Sequence, residues 1–173
     1  MSASRVWLRQ AKYDLVAARY LAQQDAHHFY CQTAAKCLQV VEKSVKAIAA
    51  ELTDRRIVTI TIGFDHDIDR YITAIIRAPH RPAKTVPHYI VETLHHNRSE
   101  VKAIMRLAPH RPEDRNKLPR NTEYPFHDVH GILIAPADTG VFQKAEIDTH
   151  VKTASIVFDQ AQALISIAER EPR

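Results

Sequence analysis

The strongest candidate for chemistry in this sequence is an arginine that is followed by a histidine after a short spacer. Arg120 and His127 enclose Asn-Thr-Glu-Tyr-Pro-Phe, so the segment reads R-N-x5-H. A guanidinium can hold a phosphate through paired hydrogen bonds, and an imidazole can accept a proton near neutral pH. Asn121 could hold either the phosphate or the histidine. Pro125 lies inside the spacer, so one continuous helix is not expected to present both residues. The alternative interpretation is that Arg120 and His127 are surface loop residues without a catalytic role.

A second group of candidates consists of ionisable residues on helical faces. Asp14 falls within an apolar stripe, where a carboxylate must find a partner or become protonated unless it lies at the wet edge of the stripe. Glu42 and Lys46 stand in the favourable i, i+4 order on the next predicted helix. We expect them to form a buried or interface ion pair, which could involve Asp14, and contact with a ligand is the second possibility.

No metal or cofactor is expected from the residue pattern. Adjacent histidines on a helix point in different directions, and no carboxylate stands at a recognised ligand spacing from them. The sequence also lacks a glycine-rich phosphate loop and a nucleophile elbow. Cys31 and Cys37 lie on one predicted helix, face different ways and have no further cysteines to complete a zinc site. We interpret both as small core residues in a reducing cytoplasm.

Length and composition indicate one soluble domain. A chain of 173 residues with 45% hydrophobic and 25% charged residues can build a single core. It contains no apolar run long enough to span a membrane and no apolar signal-peptide core near its start, so we expect a cytoplasmic location. The net charge of +4 is concentrated between Arg77 and His130, where ten Lys and Arg stand against six Asp and Glu. This excess is compatible with a nucleic-acid or phosphate partner, or with a solvated basic surface.

Helical periodicity predicts an all-α fold. The three glycines lie outside every predicted helix. The expected architecture is a single domain over residues 1–173, a mostly antiparallel up-and-down bundle of about five helices with a long loop, Pro109 to Phe142, before the last helix. The predicted helices run from about Ser4 to Gln24, Phe29 to Leu52, Asp65 to Ala78, Pro87 to Leu107 and Lys144 to Glu169.

Helix boundaries follow from caps and breakers. Asp25 is a possible N-cap of the second helix, which the short preceding turn should join to the first helix as an antiparallel hairpin. The β-branched run from Ile57 to Ile62 has no second strand to pair with, so we interpret it as an extended connector. Asp65 is expected to cap the third helix, and the Asn97-Arg98-Ser99 sequence weakens the middle of the fourth.

Three ordered landmarks resemble one protein family. The first helix reads W-x3-A-x2-D-L-x2-A-x2-L, the second contains a sequence similar to QAxEKxxKA, and a histidine precedes the third helix. The Tyr124-Pro125 dipeptide, a later proline and a final amphipathic helix follow in the same order. The chain thus resembles HEPN domains (higher eukaryotes and prokaryotes nucleotide-binding) over nearly its whole length. The residues that carry the resemblance are Trp7, Ala11, Asp14, Leu15, Ala18, Leu21, Gln39, Glu42, Lys43, Lys46, Ala47, His66, Ile68, Tyr124, Pro125 and Pro136.

The resemblance implies a helical bundle that often forms a homodimer. Many such domains are encoded beside a minimal nucleotidyltransferase in toxin–antitoxin-like pairs, and others are metal-independent endoribonucleases that use R-x4-6-H. In the second case His127 would take the proton of a ribose 2′-OH at a site shared between protomers. The chain has Glu123 where the commonest form of this subgroup has Arg before Tyr-Pro.

Three functions therefore follow as hypotheses. The first is a nucleotide-, RNA- or partner-binding module of a nucleotidyltransferase or toxin–antitoxin-like system, with Asp14, Glu42, Lys46, His66 and Tyr124 as candidate binding residues. The second is an endoribonuclease toxin that uses Arg120, Asn121 and His127. The third is a structural interaction domain without a nucleic-acid ligand.

Overall fold

A computed structural model describes residues 2–24, 26–63, 68–77, 87–107, 126–127, 130–135 and 142–168. Six helices and one pair of two-residue strands occur in these ranges, so the predicted all-α bundle is confirmed. The elements are α1 (Ala3–Gln23), α2 (His28–Asp54), α3 (Ile68–Ile76), α4 (His88–His96), α5 (Arg98–Met105), β1 (Phe126–His127), β2 (Leu133–Ile134) and α6 (Lys144–Ala168).

The central element of the bundle is α2, and eighteen of its 27 residues are buried. Its interior has no Gly or Pro and many small or aliphatic side chains, which favour the helical state and allow close approach of neighbours. Helices α1 and α6 make most of the contacts with it, and α3 and α5 make fewer. Because helices pack on several sides of α2, its buried surface extends well beyond the single apolar stripe that the periodicity predicts.

A left-handed residue ends α2. Arg56 has a φ of 58°, its N–H donates to the Thr53 carbonyl at 2.9 Å, and the Ile57 N–H donates to the Leu52 carbonyl at 2.9 Å. These two bonds form a Schellman motif, in which glycine usually occupies the left-handed position. Since an arginine stands there instead, the sequence lacked the usual stop signal, and the predicted end at Leu52 was two residues short.

The connector that follows α2 is not a strand, in agreement with the prediction. Residues 57–63 contain neither helix nor strand, and Ile57, Ile60 and Ile62 pack partly buried against the core. At the end of the connector the Gly63 N–H donates to the Tyr71 hydroxyl of α3 at 3.0 Å. These three isoleucines therefore cover part of the core from a non-helical segment.

Two boundary predictions were wrong. The N-cap of α2 is His27, which makes no capping hydrogen bond through its side chain; Asp25 itself lies outside the described residues. The predicted fourth helix is divided at Asn97, whose side chain donates to the Thr93 carbonyl at 2.9 Å, so that α4 and α5 are separate helices. Asparagine competes for backbone groups in this way, which explains why the weak point in the sequence became a break.

Candidate functional site

The helix pair α1 and α2 brings charged side chains together along one edge of their contact. Asp14 is only 4% exposed, and its carboxylate contacts the ammonium groups of Lys36, at 3.1 Å, and Lys43. Lys36 also donates to the Gln39 side-chain oxygen at 2.9 Å. Asp14 therefore has the partners that its position in an apolar stripe requires, and the alternative of a wet-edge carboxylate was wrong.

The centre of this edge holds a fully buried lysine. Lys46 is 0% exposed, and its Nζ lies 2.7 Å from Glu42 Oε1 and 5.0 Å from the centroid of the Trp7 ring. The carboxylate compensates the buried charge directly, and the indole face adds a cation–π contact from α1. The predicted ion pair is confirmed, but Asp14 pairs with the other two lysines and not with Lys46.

A third group of polar contacts lies near the start of α1. The hydroxyl of Ser4, itself fully buried, donates to Glu51 Oε2 at 2.9 Å, and Arg55 Nε donates to Glu51 Oε1 at 3.2 Å. Glu51 thus uses both oxygens, one toward α1 and one along α2. This connection ties the N-terminal turn of α1 to the C-terminal part of α2.

These contacts define what the edge can offer to a ligand. Its carboxylates are engaged in ion pairs, whereas the side chain of Lys36 is 36% exposed and that of Lys43 is 18% exposed. An anion that approached this edge would meet ammonium groups first. The sequence prediction included Asp14, Glu42 and Lys46 but missed Lys36 and Lys43, although their seven-residue spacing places both on the helix face that meets α1.

The other predicted site residues cannot be placed in the same way. Arg120, Asn121, Tyr124 and His66 lie outside the described residues, and His127 is described only as backbone in β1, opposite Leu133 of β2. Gly131 in the intervening turn has a φ of 78°, a conformation that suits glycine. The predicted Arg120–His127 pair therefore stays a prediction.

An open groove lies elsewhere, between α4 and α6. Its volume is about 650 Å³, and its lining combines imidazoles, a carboxylate and the amide of Gln160, whose Oε1 is buried. Within the ranges that the structure covers, no three His, Cys, Asp or Glu side chains are grouped so as to hold a metal ion. The principal lining residues are Val91, Glu92, His95, His96, Ile156 and Gln160.

The two cysteines are core thiols, as predicted. Neither forms a disulfide bond, Cys31 is 3% exposed and Cys37 is 0% exposed. Burial raises the pKa of the Cys31 thiol to about 11 and that of the Cys37 thiol to about 12, because the interior disfavours the thiolate. Neither thiol has the character of a nucleophile at neutral pH.

We therefore expect the native protein to resist alkylation. Iodoacetamide at pH 8 should leave Cys31 and Cys37 unmodified, and both should react after unfolding in urea, as mass spectrometry of the two samples would measure. Because the folded-state pKa of each thiol is raised above its ordinary value of 9.0, the free energy of unfolding should fall as the pH rises above about 9. Rapid labelling of the native protein at pH 8 would contradict this prediction.

The fold and this edge together define a class of protein, an α-helical bundle whose first two helices are joined by buried and half-buried ion pairs. Residues 4–78 match the model of the HEPN domain family. This span covers α1 from its second residue onward, α2 and α3, and with them every ion pair of the edge. The match supports a nucleotide- or RNA-related module at the level of that family.

No curated protein and no solved structure matches the chain. Among the described residues, no helix is both long and apolar enough to cross a membrane.

Proposed function

We propose that this protein is a HEPN-type binding module for a nucleotide or RNA that acts as a homodimer with a nucleotidyltransferase-type partner protein. The observation that supports it best is the family match over residues 4–78, which coincides with the α1–α2 pair and its charged edge. The homodimer and the partner protein follow from the resemblance. The nucleic-acid contact has additional support in the distribution of charge.

Within the described part of the basic segment between Arg77 and His130, a row of cations runs along α5 and ends at its C-cap residue. Arg98, Lys102 and Arg106 follow each other at four-residue spacing, which places them along the same helix face. Asp69 of α3 lies 3.3 Å from the Arg98 guanidinium and 3.6 Å from the Lys102 ammonium. Asp69 thus compensates two of the three cations, and Arg106, the third member of the row, is exposed. We place the phosphate contact on this row.

This placement predicts a specific loss of RNA affinity. The double variant Lys102→Ala/Arg106→Ala should weaken binding of a fluorescently labelled single-stranded RNA by about tenfold or more. It should also reduce the slope of log K against log salt by about 1.4, because two phosphate contacts are lost and each contributes about 0.7 for single strands. Fluorescence anisotropy at several salt concentrations measures both quantities.

The matched control is Lys144→Ala/Lys152→Ala, which removes two exposed cations from α6. It should leave the affinity and the slope unchanged. Equal losses in both variants would show that net charge alone attracts the RNA, and absence of binding by the wild-type dimer would contradict the proposal.

The same experiment separates binding from cleavage. Labelled RNA that is recovered after incubation with the protein in EDTA should be intact. Cleavage that is lost in Arg120→Ala and in His127→Ala would instead establish a metal-independent endoribonuclease and would place the active site around those residues and Asn121.

A further inference from the structure

The outer face of α1 exposes four large apolar side chains. Val6 is 53% exposed, Tyr13 64%, Val16 58% and Tyr20 64%. The opposite face of the same helix, with Ala11, Leu15 and Ala18, is buried in the bundle. An α-helix in a single domain usually has one apolar face. Helix α1 has two, and the bundle leaves the second one exposed to solvent.

The spacing of these four residues is that of a coiled-coil seam. Successive members are separated by seven, three and four residues. If Val6 is given heptad position a, then Tyr13 and Tyr20 also occupy a, and Val16 occupies d. The 21 residues of α1 correspond to three heptads. The exposed face therefore has the periodicity of a surface that packs against a second helix.

The charges beside this seam all have one sign. Arg5, Lys12 and Arg19 occupy the three g positions that flank it, and Arg9 occupies the first d position. The helix contains one acidic residue, Asp14, which is buried against Lys36 and Lys43 on the other side. The g positions set partner choice in coiled coils, so this pattern selects for carboxylates on the opposing helix.

We propose that the outer face of α1 binds an amphipathic helix of a partner protein, with Glu or Asp at the positions that meet the g residues of α1. Apolar side chains of the partner would cover Val6, Tyr13, Val16 and Tyr20, and its carboxylates would pair chiefly with Lys12. Arg19, which also donates to the Ser155 hydroxyl of α6 at 3.1 Å, would contribute through its remaining guanidinium donors. This surface is distinct from the α5 row, so the partner-helix proposal and the RNA proposal can be tested independently.

The same pattern disfavours a second copy of the chain as the occupant. In an antiparallel pair, g positions face each other, which brings Arg5 against Arg19 and Lys12 against Lys12. In a parallel pair, the two copies of Arg9 meet within the seam. Like charges that face each other across a helix contact are destabilising. RNA is disfavoured because only Tyr13 and Tyr20 could stack on bases, whereas Val6 and Val16 offer neither stacking nor hydrogen bonds but suit an apolar helix contact.

A designed peptide tests the proposal. The probe is an amphipathic peptide of about three heptads with Leu at a and d and Glu at e and g, and the comparison peptide has Lys at e and g. Titration calorimetry with the full-length protein should detect binding of the Glu peptide and at least about tenfold weaker binding of the Lys peptide. Higher salt should weaken binding of the Glu peptide.

Substitutions on the seam give the second measurement. Tyr13→Ser/Val16→Ser should abolish binding of the Glu peptide, and Lys12→Glu should weaken it about tenfold. The control Lys152→Glu changes an exposed cation of α6 and should have no effect. All four side chains are exposed, and circular dichroism should show unchanged helix content in every variant.

Four results would overturn the proposal. The first is absence of Glu-peptide binding, and the second is equal binding of both peptides. The third is a dimer of the protein that Tyr13→Ser/Val16→Ser dissociates. The fourth is absence of Glu-peptide binding together with binding of RNA or of anionic phosphatidylserine vesicles, which Lys12→Glu abolishes. The third result would make the face a contact between copies of this chain, and the fourth would assign it to nucleic acid or to a lipid surface.

Discussion

Replacing Lys46 by Met is expected to lower the free energy of unfolding by about 3–5 kcal/mol, the cost of removing one partner from a buried ion pair. The substitution keeps most of the side-chain volume but removes the cation that lies 2.7 Å from Glu42, a residue that is 7% exposed. It also removes the cation–π contact with Trp7. Urea unfolding followed by circular dichroism measures the change.

The double variant Glu42→Leu/Lys46→Met is the control that separates charge from packing. A buried ion pair that is replaced by apolar residues of similar size often leaves stability unchanged or increases it. We therefore expect the double variant to recover most of the loss caused by Lys46→Met alone. A double variant that stays as unstable as Lys46→Met alone would contradict this expectation, because it would show that the loss does not come from an uncompensated Glu42 charge.

Replacing Ile48 by Ala is expected to lower the free energy of unfolding by about 2–5 kcal/mol, through the lost apolar contacts and the cavity that remains. Ile48 is 0% exposed and lies on α2, which is in contact with helices α1, α3, α5 and α6. The surrounding side chains can close this cavity only partly because they are held by several different helices.

Ile167→Ala on α6 is the matched control, since Ile167 is 40% exposed. Its effect should stay within about 0.5 kcal/mol, and the urea m-value should be unchanged in both variants. A loss for Ile48→Ala as small as that of the control would contradict the central position of α2 in the core.

The helices could be predicted well from the sequence because their signals are local. The stripe Tyr30, Ala34, Cys37, Leu38 and Val41 is buried as its spacing predicts, and α1 and α6 begin and end within one residue of the predicted positions. Helix ends were predicted less accurately where the residue that ends the helix is not one of the usual stop signals. Arg56 in a left-handed conformation and Asn97 between α4 and α5 are both departures that periodicity does not record.

The candidate site was only partly accessible to the same reasoning. Glu42 and Lys46 lie one turn apart on one helix, so their pairing follows from local geometry. The Arg120–His127 pattern has no comparable local constraint, since Pro125 interrupts any helix that could hold both residues, and it stays a prediction.

The sequence by itself determined the helical class, the buried faces of the long helices and the Glu42–Lys46 pair, because each depends on neighbours within a few turns of one helix. Only the tertiary structure decided that Lys36 and Lys43 compensate Asp14 and that Trp7 covers Lys46, because these contacts depend on the register of α1 against α2. It also decided which face of α1 is covered. Both faces carry apolar residues at helical spacing, and the bundle buries the one whose small residues, Ala11 and Ala18, allow close packing.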